Sequence, residues 1–575
     1  MPRRQWLATG IFILLIAAAV ALRLTWKVTE VSGVVTEKGS PVAGAAVRVK
    51  ATAFQTTTDS WGYFSLTGFP AAFRVHVTAW TDGAYIGGGV AAPWGRRVDI
   101  DLKPYPAHDN PSYRWIEPKV ERPAAAEFFI RTGLSLAARM SFNRVFLPLA
   151  SRLTLGCADC HGDIIYRQWA GDAHARGTSN IRFLTMYNGT DVTGRKSPPT
   201  VYGNSRDYGQ FPLKPDPVQP YYGPGFKLDF PDQAGNCADC HAPTAALASP
   251  GGADINSVTG LDARGSQCDF CHKIAAVRVD PVTQLPGENL PGIVSLELRR
   301  PAAGSQVFFG PYDDVDVEGD TYLPLQNESR VCAPCHNASF WGTPVYQSYA
   351  EWLASPYPAE GVTCQSCHMK PDGLADNFAP GRGGQTRDPQ TVFTHSFPGA
   401  ADVDLLRHTA RLELSARRLD GRIAVQVSVT NEKGGHDIPT DHPMRNIILV
   451  VSAGGGGRAL PLLAGPVVPG WGGTGGGPAD YAGQPGRGYA RVLEELWTEI
   501  SPTAAYWRQT RVLEDTRLKA RETDISHYEF ASAVDSGPVE IRATLVFRRA
   551  FKQLARQKGW PDADIVMNEA VLAVP

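Results

Sequence analysis

The sequence predicts a multidomain chain: an N-terminal membrane helix, a small β-sandwich, an irregular and mainly α middle region, and a C-terminal β-rich domain. Three observations predict this. An apolar run from Trp6 to Leu22 follows Met1-Pro2-Arg3-Arg4. Short runs of alternating polarity, bounded by Gly, Pro and Asp, recur toward both ends of the chain. Between them lie five copies of Cys-x-x-Cys-His, which use all 10 cysteines of the 575 residues.

The apolar run is short for a membrane span and long for a signal-peptide core. Ala19-Val20-Ala21 offers a cleavage site, but Arg23 and Lys27 follow at once. That favours an uncleaved anchor over residues 1–27. With either fate Arg3 and Arg4 stay inside and the rest of the chain is exported, which gives an expected location on the periplasmic side of the cytoplasmic membrane or at the cell surface.

Residues 28–104 read as the sandwich. Val31–Val35, Ala45–Val49, Tyr63–Leu66, Arg74–Thr78 and Arg97–Leu102 are its expected strands. It is expected to act as a spacer, with docking to a partner as the alternative.

Residues 105–400 hold the five motifs. They are Cys157, Cys160 and His161; Cys237, Cys240 and His241; Cys268, Cys271 and His272; Cys332, Cys335 and His336; and Cys364, Cys367 and His368. This spacing is the attachment signature of c-type haem. The two thiols add across the vinyl groups of one porphyrin, and the histidine ligates the iron from one face. A zinc site needs no histidine after every second cysteine. A disulfide framework belongs to short secreted chains. The region is therefore a pentahaem domain carrying five covalent haems, numbered here 1 to 5 in chain order. Phe128–Met140 and Tyr346–Leu353 are its expected helices. First cysteines are spaced by 80, 31, 64 and 32 residues; the two short gaps predict that haem 2 packs with haem 3, and haem 4 with haem 5.

Residues 401–575 return to strand. Leu412–Ala416 and Ile423–Val429 alternate across Asp420-Gly421, a hairpin signal. Asn446–Val451 reads as buried, and Val539, Ile541, Ala543, Leu545 and Phe547 alternate strictly. The glycine-rich stretch from Gly454 to Gly488 lacks the Gly-Lys-Ser/Thr of a phosphate loop and reads as a flexible loop.

Function then turns on the sixth position of each iron. A second histidine closes the iron for electron transfer; an open position allows chemistry. Of 13 histidines, 5 are proximal, leaving His76, His108, His174, His395, His408, His436, His442 and His527. His76 falls in the sandwich and reads as structural; His527 reads as a surface residue. Tyr166-Arg-Gln-Trp169 precedes His174, and Tyr349-Ala-Glu-Trp352 repeats the pattern with Tyr357 in the histidine's place. Met369, beside His368, could reach only a neighbouring haem.

Two resemblances extend this reading. The stretch VSGVVTEKGSPVAGAAVRVKATAFQTTTDSWGYFSL resembles the carboxypeptidase regulatory-like (transthyretin-like) domain, through Gly33, Gly39, Pro41, Gly44, Ala45, Thr58, Asp59, Gly62 and Phe64. That implies a structural or adhesive unit. The segments YRQWAGDAHARG, CADCHAP, EGVTCQSCHM, THSFPGA, GGHDIPTDHPMR and LEDTRLKARET resemble multihaem cytochromes related to the hydroxylamine oxidoreductase and nitrifier tetrahaem cytochrome group. The resemblance implies that His174, His395 and His436 are distal ligands. Asp172 stands where that group carries serine, a departure expected to be immaterial. His108, His408 and His442 compete for the remaining positions.

Net charge is −1, with no basic stripe for nucleic acid. The favoured function is a membrane-tethered, exported pentahaem cytochrome. It would carry electrons from a respiratory, quinol-linked donor or redox partner protein to a periplasmic or surface acceptor. One alternative is an oxidoreductase acting on a small nitrogen or sulfur compound at one five-coordinate haem, with Tyr357, His442 and Arg445 as candidate site groups. No Cys-x-x-Cys-Lys motif, the mark of related nitrite reductases, is present. The other alternative is a subunit of an extracellular cytochrome conduit or filament.

Overall fold

The computed structural model describes residues 27–128, 130, 132, 155–317, 319–382, 384–532, 537–561 and 564–575. Two expectations about fold class are corrected. Residues 1–26, on which the membrane helix was placed, lie outside the described residues, and no described helix is long and apolar enough to cross a membrane. Among the described residues, strand (31%) also exceeds helix (21%). The middle region is not mainly α: its helices run from 4 to 15 residues and alternate with two-stranded ribbons. Most motif helices there end at the motif histidine or soon after, because each needs only enough turns to present its cysteines. The Phe128–Met140 helix falls almost wholly outside the described residues, whereas Ser348–Leu353 is helical.

The front unit is two four-stranded sheets. One is Ser40–Pro41, Val28–Glu37 and Tyr63–Ala72, with Ile100–Leu102 on the far edge of Val28–Glu37; the other is Gln55–Thr57, Ala46–Val49, Val75–Trp80 and Gly87–Ala91. Alternation puts Val31, Val35, Phe64, Leu66, Val47 and Val77 between the sheets, where all are buried.

This unit packs directly on the haem-motif region. Arg48 pairs with Asp313 at 2.8 Å, the Ala51 N–H donates to Asp314 at 2.7 Å, and Lys50 and His76 both meet Asp316, His76 at 2.8 Å. Burial alone would raise the Asp316 carboxyl; the His76 hydrogen bond and the Lys50 charge outweigh it and hold it at about 2. Its folded value lies below the unfolded carboxylate value of about 3.9, so the contact contributes fully above about pH 4 and is lost as pH falls toward 2. Asp316→Asn leaves Lys50 and His76 facing no anion and should weaken docking by on the order of 3 kcal/mol. Protection factors at residues 48–51, corrected for the intrinsic exchange rate at each pH, should fall at neutral pH in the variant, and below pH 4 in the parent. Unchanged protection at both would refute the role of Asp316.

The C-terminal domain is a two-layer β structure. Ala410–Leu419 and Arg422–Asn431 form a hairpin closed by Asp420-Gly421, with Leu419 opposite Arg422 and Gly421 at φ 71°. Thr523–Ala531 and Leu462–Ala464 extend that sheet. The second sheet runs Thr510–Asp515, Gly486–Glu495, Asn446–Gly455, Val539–Arg548, Ile565–Val574. Val539, Ile541, Ala543, Leu545 and Phe547 all face the core between the sheets.

The glycine-rich stretch is tied down rather than free. Asp480 accepts from the Thr474 N–H at 2.9 Å, and Arg548 donates to the Gly472 carbonyl at 2.7 Å. A Cβ on Gly473 would come within 1.7 Å of the Asp480 carboxylate, so this approach requires glycine.

Buried charge joins the C-terminal domain to the haem-motif region. Arg508 is 7% exposed and binds Asp229 at 2.8 Å and Glu495 at 2.7 Å. Lys558, fully buried, donates to the carbonyls of Thr185 at 3.0 Å and Pro224 at 2.6 Å, closing the end of helix Ile181–Asn188.

Candidate haem sites

Each Cys-x-x-Cys-His motif forms a helical turn, which sets residues i and i+3 on one side so that two thiols face one porphyrin. None of the cysteines is in a disulfide. Among the described residues no three His, Cys, Asp or Glu side chains converge as a bare-metal site.

The first motif departs from the other four. Its turn does not stop at the histidine: helix Cys157–Gly171 continues past it, kinked at Gly162, where φ is 76°. Cys160 is half-buried in the first part of this helix, one turn from Cys157. Its backbone lies under Gly381, where a Cβ would come within 3.1 Å of the Cys160 Cα and 2.0 Å of the Asp159 carbonyl. Glycine at 381 therefore lets a distant loop close over the Cys160 turn. The second thiols of the other motifs, Cys240, Cys271, Cys335 and Cys367, sit at the same place in shorter turns.

The proximal histidines share one orientation. Nδ1 of His161 meets the Phe378 carbonyl at 2.8 Å, that of His241 the Gly177 carbonyl at 3.1 Å, that of His272 the Phe309 carbonyl at 2.7 Å, and that of His368 the Pro398 carbonyl at 2.7 Å. His336 differs: its Nδ1 faces the Asp441 carboxylate at 3.3 Å. With Nδ1 donating to an acceptor, Nε2 keeps its lone pair for iron.

Three spare histidines stand opposite proximal ones. Ring centres are 6.3 Å apart for His174 and His336, 6.5 Å for His272 and His395, and 6.4 Å for His368 and His436. A metal–imidazole bond of about 2.0 Å, plus about 1.1 Å from nitrogen to ring centre, puts two rings on opposite faces of one iron about 6.3 Å apart. The residues therefore fit haems 4, 3 and 5 as bis-histidine sites. Nδ1 of His174 meets Asp172 at 2.6 Å, and Nδ1 of His436 meets the Asp437 carbonyl at 2.9 Å. The departure at Asp172 is thus not immaterial, since its carboxylate orients the ring.

Among the described residues no histidine ring stands at that distance from His161 or His241. His108 is exposed, and His408 is exposed on helix Val403–Thr409 with Nδ1 bonded to the Asp404 carbonyl of its own helix at 2.8 Å. Neither is brought to a proximal histidine. Met369 caps the haem 5 turn through its backbone. Tyr357 lies half-buried under the Arg521 guanidinium, 4.9 Å from its ring.

His442 behaves differently from every ligand. It lies near His241, close enough that protonating one would disfavour protonating the other. Its Nδ1 accepts from the Met444 backbone N–H at 3.3 Å, so the ring proton sits on Nε2. Burial first, then the Arg445 charge, lowers it to about 3, which keeps the ring neutral.

Tyr346 and Tyr506 pack against His442 with ring centres 6.0 and 5.4 Å away, and their hydroxyls meet at 3.0 Å. Both tyrosines feel the charge of Cys237 and Cys240, which places the group beside haem 2. Arg182, lowered to about 10 by burial and by Arg549 and Arg445, adds to a cluster of cations on this side. The tyrosines carry no sequence pattern that could have announced them.

Cysteines of different motifs meet. Cys157 lies within hydrogen-bonding reach of Cys268, Cys240 of Cys335, and Cys332 of Cys364. The fourth motif turn thus adjoins the fifth, matching the short gap between them. The second turn adjoins the fourth and the third adjoins the first, contacts that the spacing does not report. The second motif is brought to the fourth by long-range packing.

The repeated Tyr/Trp pattern is also structural. Tyr166 packs on Trp169 at 6.1 Å and Tyr349 on Trp352 at 5.7 Å, and each indole donates to a backbone carbonyl, of Ser266 and Val362.

No family model matches the sequence, and no curated protein matches it. Among solved structures the chain is similar to a penta-heme cytochrome c552 from Thermochromatium tepidum, with 22% identity and a TM-score of 0.49 over 72% of this chain and 97% of that one. A second likeness is to the N-terminal domain of the Streptococcus gordonii adhesin Sgo0707, with 13% identity and a TM-score of 0.13 over 29% of this chain and 33% of that one.

Proposed function

We propose that this protein is an exported multihaem c-type cytochrome that carries electrons between a respiratory donor and an acceptor outside the cytoplasm. The observation that carries the reading is the set of three histidine pairs at iron-spanning distance, on motifs joined by touching cysteines. Bis-histidine haems are closed to substrate and suit electron passage. When bound, the haems supply the redox centres. The chain attaches them and aims the imidazoles.

Intact mass and haem quantification of the exported protein should give five haems per chain. Fewer than five would contradict the count read from the motifs.

A second reading, an oxidoreductase at haem 2, is favoured by the polarity of His442. Its Nε2–H is a donor, as is the Tyr506 hydroxyl, which accepts from Tyr346, and Arg445 adds positive charge; such a face suits a small anionic nitrogen or sulfur oxyanion. Nitrite or sulfite added to the oxidised protein should change the optical spectrum of about one haem in five. His442→Ala should weaken that response about tenfold, the effect of losing a hydrogen bond to a charged group. No response to either anion would count against this second reading and leave the carrier.

A further inference from the structure

Haem 4 differs from the other closed sites in what its axial imidazoles hydrogen-bond. On the proximal side His336 Nδ1 faces Asp441, whose side chain is 13% exposed. On the distal side His174 Nδ1 faces Asp172, whose side chain is 4% exposed. Asp441 is itself fixed by the Ser348 N–H at 3.2 Å, and Asp172 by the His174 N–H at 2.7 Å. At haems 3 and 5 the proximal rings meet neutral carbonyls, and so does His436.

An imidazole N–H that donates to a carboxylate gains imidazolate character, and its other nitrogen becomes the stronger donor to metal. Hydrogen bonding and charge of this kind tune a haem's potential. Two buried negative charges also favour the ferric state, which carries one more positive charge, and burial strengthens that attraction.

The position of haem 4 gives this consequence. Cys335 touches Cys240 of haem 2, and Cys332 touches Cys364 of haem 5. The loop from His436 to Arg445 serves all three: His436 faces haem 5, Asp441 holds the haem 4 imidazole, and His442 lies beside haem 2.

We propose that Asp172 and Asp441 are positioning residues that make haem 4 the lowest-potential member of the closed set. Electrons then pass through this junction without resting on it and move readily from it to haem 2. The step is a single-electron transfer in which no bond is made or broken. The inference rests on the haem reading above.

The test is a potentiometric titration of the five-haem protein followed by EPR. The haem 4 component is identified as the low-spin signal lost in His174→Ala. It should be the last of the closed haems to reduce. Asp441→Asn and Asp172→Asn should each move that component to higher potential and leave the other low-spin components in place; a merely structural role would not select one haem from two opposite faces. Should Asp441→Asn load haem poorly, Asp172→Asn carries the test alone. The inference is overturned if the His174-dependent signal is not the lowest of the closed haems, or if the Asp→Asn variants leave it unmoved. A haem count below five in the parent speaks against the underlying reading instead.

Discussion

His174→Ala converts one low-spin haem, a fifth of the iron, to a high-spin form and leaves haems 3 and 5 unchanged. The ring stands 6.3 Å from His336, with Phe397 packed edge-on at 4.7 Å and Asp172 holding Nδ1. No other histidine ring is within ligation distance of His336, so nothing replaces it among the described residues. Five-coordinate haem binds cyanide or carbon monoxide, and a bis-histidine haem resists both. Near-infrared magnetic circular dichroism reads the loss directly. His408→Ala and His108→Ala are the controls, and both should leave the spectrum as it is. An unaltered spectrum in His174→Ala would remove this pair from the ligand set.

Arg508→Met should be the most destabilising single change outside the haem ligands. The guanidinium bridges Asp229 and Glu495, all three at or below 7% side-chain exposure. Trp507 donates to the same Asp229 at 2.6 Å, and Thr498 and Thr503 donate to Glu495 at 2.6 and 2.8 Å. Removing the cation leaves two buried carboxylates without compensation, at a cost of about 3–5 kcal/mol. The apparent Tm should fall by on the order of 10 °C. Arg508→Lys should recover only part of the loss, because an ammonium cannot reproduce the two-pronged contact. Tyr506 is two residues away beside His442, so the haem 2 spectrum should shift with the fall in stability. A variant as stable as the parent would show that the charges are screened in solution.

The haem motifs were legible in sequence because covalent attachment demands a fixed spacing, whatever the fold around it. The hairpin at Asp420-Gly421 and the strand from Val539 were legible because turn chemistry and period-2 alternation are local. His174, His395 and His436 could be singled out only through resemblance; their distances to His336, His272 and His368 depend on segments far apart in the chain. Asp441 and Asp172 were not legible as haem residues, since a buried carboxylate looks like any loop aspartate until its imidazole partner is known. The closure of Gly381 over Cys160 joins segments more than two hundred residues apart, and Tyr346 and Tyr506 meet across 160 residues; no local pattern reports either contact. The middle region, irregular and mainly α by its sequence, shows short motif turns and two-stranded ribbons instead. All but the first of these turns stop at the histidine or the cysteine before it, and small ribbons such as Ala338–Phe340 with Thr343–Tyr346 fill the space between.

The most direct test is Mössbauer spectroscopy of the oxidised protein enriched in iron-57, which counts every iron even where neighbouring haems interact magnetically. The account predicts at least three-fifths of the iron as low-spin ferric, from the pairs His174–His336, His272–His395 and His368–His436. A low-spin fraction below three-fifths would mean that at least one pair does not bridge an iron, and would contradict the account.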